Sequence, residues 1–300
     1  MECNLLFWTV FNRWMLRWIS TGLVFVVMAT AVLEAQPRFR PPPNRIDPAR
    51  LNEAEGERLL ERFRASGIPE PFSFHFRLEH MPRRAPTVTY EGRLWAHWWG
   101  GVHETRVHLF EGSSAGRTGL LLRNGPEPEA WIRRAGEGAE TETIDRSRMM
   151  EPLTAEIAFS PFDLLMPFVH WEDWVYEGSR RMRGRPAHYF LLYPPEDDAR
   201  YADISGVRIL VDADFNALLQ AEVLDTEGAR LKTVRADSFR RVGDQWIVRR
   251  IDITDERTRD RSRFEVVAAA MGAELSEDVF TPDNLEHVPE LPRPSAFSQL

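Results

Sequence analysis

A chain of 300 residues, 43% apolar and 28% charged, is long enough for one large or two smaller domains and can bury a core without covalent staples. Its net charge of −8 excludes general attraction to nucleic acid. Of its 38 basic residues only Lys232 is a lysine, a bias that reads as base composition rather than as phosphate recognition.

Arg13 and Arg17 precede an apolar run from Trp18 to Val32. At ~15 residues the run is short for the ~20 that a membrane span needs, so it reads as a cleaved export signal, residues 1–35. Ala29-Thr30-Ala31 and Ala35 before Gln36 are alternative cut sites, and Met1 and Met15 are alternative starts. The single cysteine, Cys3, lies ahead of the run, where it cannot accept a lipid, and the mature chain then has no thiol. Residues 36–46, QPRFRPPPNRI, read as an extended proline-rich tether.

Asp47 as N-cap, Pro48 at the first helical position and Gly67 at the end bracket a helix with Leu51, Ala54, Leu59, Leu60 and Phe63 on one stripe. Strands follow. Phe72, Phe74, Phe76 and Leu78 alternate with polar residues. In TVTYEGRLWAHWW, Val88, Tyr90, Leu94, Ala96 and Trp98 share one face, and Trp95, His97 and Trp99 the other. VHETRVHLF, GLLLRNG and AWIRRAG continue the series, and a polar loop follows.

Between Phe159 and Trp171 the period changes. Ser160 can cap, Pro161 can open a helix, Asp163 sits in its first turn, and Pro167 ends or kinks it. Phe162, Leu164, Leu165, Met166, Phe168 and Val169 are apolar nearly all round, so the segment is buried or covers something apolar. From Trp174 to Phe264 a ladder of alternating strands resumes, with turns at Glu227-Gly228 and Gly243-Asp244. The chain from 47 to 287 reads as one domain, and 288–300 as a loosely ordered tail.

Sites of chemistry do not stand out. His75 with His80, and His103 with His108, are odd numbers apart and point to opposite faces of a regular strand, so with His97 they read as exposed or edge histidines, not metal ligands. No G-x-S-x-G, P-loop or dinucleotide fingerprint is present. The acids Asp197, Asp198, Asp225, Asp244 and Asp255 fall on turns. Trp95 and Trp98 face opposite ways, so these tryptophans read as core or lining rather than as a sugar platform. The expectation is a non-enzyme without cofactor or metal.

An apolar helix beside an apolar sheet instead suggests a lid over a greasy cavity. Burying about ten methylenes at ~0.8 kcal/mol each gains roughly 8 kcal/mol before association costs. The candidate lining from the helix is Phe162, Leu164, Leu165, Met166 and Phe168. From the sheet it is Phe74, Phe76, Leu78, Leu94, Trp98, Tyr189 and Leu191.

The ladder resembles the LolA-like superfamily, in particular the group of outer-membrane lipoprotein-sorting proteins. The residues that carry this are Trp174, Tyr176-Glu177-Gly178, Gly184-Arg185, Tyr189, Tyr201, Val211-Asp212, Leu218, Glu222, Asp225, Gly228, Lys232-Thr233, Phe239, Trp246 and Ile251, then Phe264, Phe280 and Leu285. The resemblance implies a mainly β fold: a strongly curved antiparallel sheet forming an incomplete β barrel, with an N-terminal helix and a short lid-like helix over the hollow. It implies a periplasmic carrier whose partners are lipid or lipoprotein acyl chains and an envelope membrane protein. The lid-locking arginine of those carriers has no counterpart placed here. The alternative on the same fold is a non-enzymatic periplasmic sensor or protein-interaction module with a filled core.

Overall fold

The computed structural model describes residues 53–99, 102–111, 116–134, 136, 138–153, 157, 159–196, 198–290 and 297–300. The export signal, the tether and the Asp47-Pro48 helix start therefore lie outside the described residues, as do Asp197 and the side chain of Trp99. Helix α1 is Glu53–Arg64, with Glu53 and Glu55 in its first turn and Arg62 and Arg64 in its last, each sign at the favourable end of the helix dipole.

Six strands follow: β1 (Phe72–Met81), β2 (Val88–Trp99), β3 (Val102–Glu111), β4 (Gly116–Asn124), β5 (Glu129–Arg133) and β6 (Thr141–Thr143). After the crossing segment, which holds helix α2 (Pro161–Leu165), come β7 (Asp173–Met182), β8 (Arg185–Tyr193), β9 (Ile204–Asp212), β10 (Leu218–Asp225), β11 (Arg230–Val242), β12 (Gln245–Asp255), β13 (Arg261–Met271) and β14 (Ser298–Gln299). All pair antiparallel in one sheet ordered β6-β5-β4-β3-β2-β1-β13-β12-β11-β10-β9-β8-β7. The chain thus starts mid-sheet, meanders out to one edge, crosses to the far edge and meanders back until β13 meets β1 (Phe72 opposite Met271). The sheet is not closed into a barrel, since β6 and β7 are its two edges.

Paired residues share a face, so the registers sort the side chains. Phe74, Phe76 and Leu78 lie opposite Leu94, Gly92 and Tyr90 of β2, and Leu94 and Gly92 in turn lie opposite Val107 and Leu109 of β3. Val234 pairs with Ala221, Ala221 with Ile209, and Ile209 with Phe190. This apolar side, here the inner face, forms two large clusters, one from β1–β5 around Phe76, Leu120 and Ile132 and the other from β7–β10 around Phe190, Val207 and Ile209, with a smaller third around Phe74 and Val266. Gly92 matters to the first: a Cβ there would stand 2.1 Å from Cζ of Phe76, so the ring lies over the glycine and fills its place.

The end of the chain departs from expectation. A bulge between His75 and Phe76 shifts the β1–β13 register, and β12 pairs with β13 only from Arg261 to Glu265. The stretch of β13 beyond it would present an unpaired edge, but β14 takes it, with Ala268 opposite Gln299 and Ala269 opposite Ser298. The Leu300 amide donates to the Val267 carbonyl, and Phe297 packs on His75 at 4.4 Å. Ser298–Gln299, within the stretch expected to be loosely ordered, is therefore paired as a short strand.

Candidate functional site

Residues 144–172 form the crossing between the two edges. Ile144 donates to the Ala130 carbonyl as it leaves β6, and the Phe162 amide donates to Met149. Helix α2 starts as its residues require. Ser160 is the N-cap, Pro161 occupies the first turn, and the Asp163 carboxylate accepts from both the Ser160 amide and hydroxyl at 2.8 Å. Met166 ends α2 in the left-handed region at φ 46°, which costs a non-glycine residue about 1 kcal/mol, and Pro167 restarts the chain as a 3-10 turn through His170.

The apolar side chains of this cover divide between the two inner clusters. Leu165 packs with Phe76, Leu120 and Ile132, whereas Phe162 and Phe168 pack with Phe190, Val207 and Ile209. The rings of Phe162, Phe168, Trp171 and Tyr201 lie at edge or tilted angles with centroids 5.0–6.4 Å apart. Helix α1 lies beside them, with Leu60 and Phe63 in the second cluster. It comes close because Gly56 faces β7, where a Cβ would stand 2.6 Å from Cβ of Tyr176.

Polar ties also hold the cover. Lys232, on the inner face of β11, donates from Nζ to Asp163 Oδ2 at 2.6 Å. The aspartate side chain is 1% exposed and the lysine 15%, so the pair is sheltered from screening solvent. Arg64 at the end of α1 donates to the carbonyls of Val169 at 2.6 Å and Trp171 at 2.7 Å. One ion pair thus joins cover to sheet, and one guanidinium joins cover to helix.

Of the twelve lining candidates, ten face the inner side or the cover. Phe76, Leu78 and Leu165 belong to the first cluster, with Leu164 packed against it, and Phe162 and Phe168 to the second, with Met166 packed against it. Phe74 lies in a third inner cluster with Val242, Ile247 and Val266, and Leu94 bridges it to the first. Trp98 stands apart, over Gly67, with its ring edge 2.6 Å from where a Cβ would be. Tyr189 and Leu191 are the correction. They pair with Leu210 and Arg208 and point to the outer face, into small clusters with Ala187 and Leu210 and with Tyr193 and Leu224. In the run YFLLY only Phe190 and Leu192 face inward.

The outer face has its own cover. The segment after β13, with 3-10 turns at Glu277–Phe280 and Pro282–Glu286, lays Phe280 and Leu285 on Trp95 and Leu121. Under it Arg106 is 1% exposed. Its Nη1 donates to the Val279 carbonyl at 2.6 Å, its Nη2 to the carbonyls of Asn284 and His287, and its Nε to His108 at 3.1 Å. His97 and His108 are fully buried here, His97 against Phe280 at 4.1 Å and bonded to Glu104 at 2.9 Å. They are not the exposed histidines the strand pattern suggests, because the pattern cannot show that a distant segment covers this face. Desolvation holds His97 below the usual histidine range, against the opposing pull of Glu104. Further along, buried Glu177 accepts two bonds from Arg208 at 2.9 and 3.2 Å, and Arg208 also reaches Glu222 at 3.4 Å. Among the described residues no group of His, Cys, Asp and Glu is placed to hold a metal ion, and no helix is long and apolar enough to cross a membrane.

A protein-family model described as "Uncharacterized protein" matches residues 155–287. No curated protein matches the sequence significantly. Among solved structures, the chain is similar to a putative outer membrane lipoprotein-sorting protein domain from Vibrio parahaemolyticus, with TM-score 0.69 and 15% identity over 79% of this chain and 100% of that one. It is similar to a DUF1329 family protein from Desulfovibrio piger, with TM-score 0.68 and 13% identity over 76% and 96% of the two chains. A LolA superfamily protein from Nitrosomonas europaea gives TM-score 0.55 and 14% identity over 75% and 96%. At such identities the likeness is one of fold. The chain carries the LolA-like fold, an open antiparallel sheet covered on its inner face.

Proposed function

We propose that this is an exported, non-enzymatic binding or carrier protein of the periplasm that holds a lipid or the acyl chains of a lipoprotein between the α2 cover and the inner face of its sheet. On this reading residues 1–35 are the removed signal, 36–46 the tether and 47–287 the carrier domain. The observation that carries it is the position of the cover. Its apolar side chains straddle two separate inner clusters, and one ion pair, Asp163–Lys232, ties it to the sheet. An acyl chain entering between the clusters exchanges apolar contacts with the cover for apolar contacts with itself, so opening leaves little hydrocarbon exposed to water. The likeness to a lipoprotein-sorting domain supports the same reading.

Native mass spectrometry of the delipidated protein incubated with an acylated peptide tests it. A one-to-one adduct with the acylated peptide, absent with its unacylated form, is the expected result; no adduct sinks the proposal. A second reading, a filled module that binds protein partners, draws on the close ring packing of Phe162, Phe168, Trp171 and Tyr201. It expects no adduct, together with unchanged exchange of the cover amides.

A further inference from the structure

Every hairpin turn at one end of the β7–β12 half comes from the same side of the meander: 183–184 between β7 and β8, 213–217 between β9 and β10, and 243–244 between β11 and β12. The three tips touch. The Ala213 amide donates to the Pro186 carbonyl at 3.0 Å, Arg183 approaches Asp237 at 3.9 Å, and the rings of Phe215 and Trp246 lie 5.9 Å apart. Arg185 sits over Phe215 at 5.3 Å and over Phe239 at 5.7 Å. This platform is fixed by β pairing and needs no rearrangement to present itself.

Its composition is unusual for this molecule. Phe215 is 56% exposed and Trp246 54%, and of the large apolar side chains described only Val102 is also exposed. On the same hairpins lie Arg181, Arg183, Arg240 and Arg241, all exposed, on a chain whose net charge is −8; Arg183 lies near Asp237, Arg241 pairs with Asp244 at 3.0 Å, and Asp214 adjoins Phe215. The opposite end is a useful contrast. It also carries exposed arginines, Arg83, Arg84, Arg257 and Arg259, yet exposes no large apolar side chain among the described residues. Arginine alone is thus ordinary for this surface, whereas aromatic rings with arginine occur together at one end.

An aromatic ring is most stable at the level of lipid headgroups, where its body meets hydrocarbon and its edge meets water, and arginine beside it meets phosphate. We propose that this end of the sheet docks on a membrane surface bearing anionic phospholipid, with Phe215 and Trp246 entering the headgroup layer and Arg181, Arg183, Arg240 and Arg241 on the phosphates. The surface acts whether or not the inner face holds lipid, so it stands apart from the carrier reading.

The apolar run near the N-terminus can itself bring the full chain to a vesicle, so the readout must be local. Replacing the only cysteine, Cys3→Ser, allows one environment-sensitive thiol dye to be placed either by Asp214→Cys, beside Phe215, or by Arg257→Cys, at the opposite end. With vesicles of phosphatidylethanolamine and phosphatidylglycerol, the dye at 214 brightens and shifts to the blue, and the dye at 257 does not. Each of Arg181→Glu, Arg183→Glu and Arg241→Glu weakens the response at 214 by about fivefold or more in lipid concentration, since each neutralised arginine removes roughly that factor of surface attraction. Their melting temperatures stay at the parent value. Equal responses at 214 and 257, an equal response on phosphatidylcholine, or no response overturns the proposal. A response to poly-glutamate but not to vesicles overturns it in favour of an acidic protein partner.

Discussion

The two faces of the sheet are covered by opposite physical means. On the inner face the cover is greasy and contributes contact area, with Asp163–Lys232 and the Arg64 bonds as its few polar ties. On the outer face Phe280 and Leu285 supply a small apolar contact, and Arg106 gathers the carbonyls of Val279, Asn284 and His287 onto one buried guanidinium. Apolar contact is non-directional and survives a shift in position; a guanidinium bonded to three carbonyls does not. The outer segment is therefore held chiefly by directed bonds, and the inner cover chiefly by contact area.

Arg106→Leu should separate the faces most sharply. It leaves three partly buried carbonyls without their donor and should cost about 3 kcal/mol in urea denaturation, with faster hydrogen exchange confined to residues 277–287. If exchange rises equally in the inner cover, the two covers are coupled and the contrast fails. Lys232→Ala should cost about 3 kcal/mol, because it strands the Asp163 carboxylate, and should raise exchange in residues 161–171 without touching the outer segment. Lys232→Met with Asp163→Asn should recover part of that stability, since no buried charge is left unpaired and the side-chain oxygen can still accept from the Ser160 amide.

Gly56→Ala probes how closely α1 must lie on β7. Its methyl would meet Tyr176 at 2.6 Å, so about 1–3 kcal/mol of overpacking is expected, read by a shift of the urea midpoint. Acid should then loosen both faces together. His97 on the outer face, His103 and His188 on the inner, and His170 in the cover are each held below the usual histidine range by desolvation. The unfolded chain then binds more protons as pH falls through about 6.5, so stability is present above that pH and is lost below it. Melting temperatures at about pH 7.5 and about pH 5.5 check the sign: the acid value should be lower. The smallest effect belongs to the exposed pair. Phe215→Ser with Trp246→Ser should leave stability within about 0.5 kcal/mol while removing membrane response.

Local patterns in the sequence carried the strands and the capped cover well, for reasons that lie within a few residues. Phe72 to Leu78 alternates cleanly, and Ser160, Pro161 and Asp163 are adjacent in the chain. The face of YFLLY has no signature because five neighbouring apolar or aromatic residues give no alternation, and burial on both sides of β8 makes each position look alike. The latch was invisible for a different reason: Asp163 and Lys232 are 69 residues apart, and only the path of the meander brings them together. Arg106 and the carbonyls it binds are more distant still, and a backbone acceptor has no residue type by which to be recognised. The short strand at Ser298–Gln299 has no signal in the sequence, because two residues cannot show a period and its partner edge exists only where β12 peels from β13.

The route of the chain from β6 to β7 has a mechanical consequence. Each end of that crossing runs directly into a strand, and those strands are the two margins of the sheet. Such a segment resembles a drawstring more than a door. It can bow outward, but it has no free end on which to swing, and any slack it takes up must come from the margins moving toward each other. On the carrier reading, making room under the cover and bending the sheet would thus be one motion, and the size of a guest would be set by how far the margins travel.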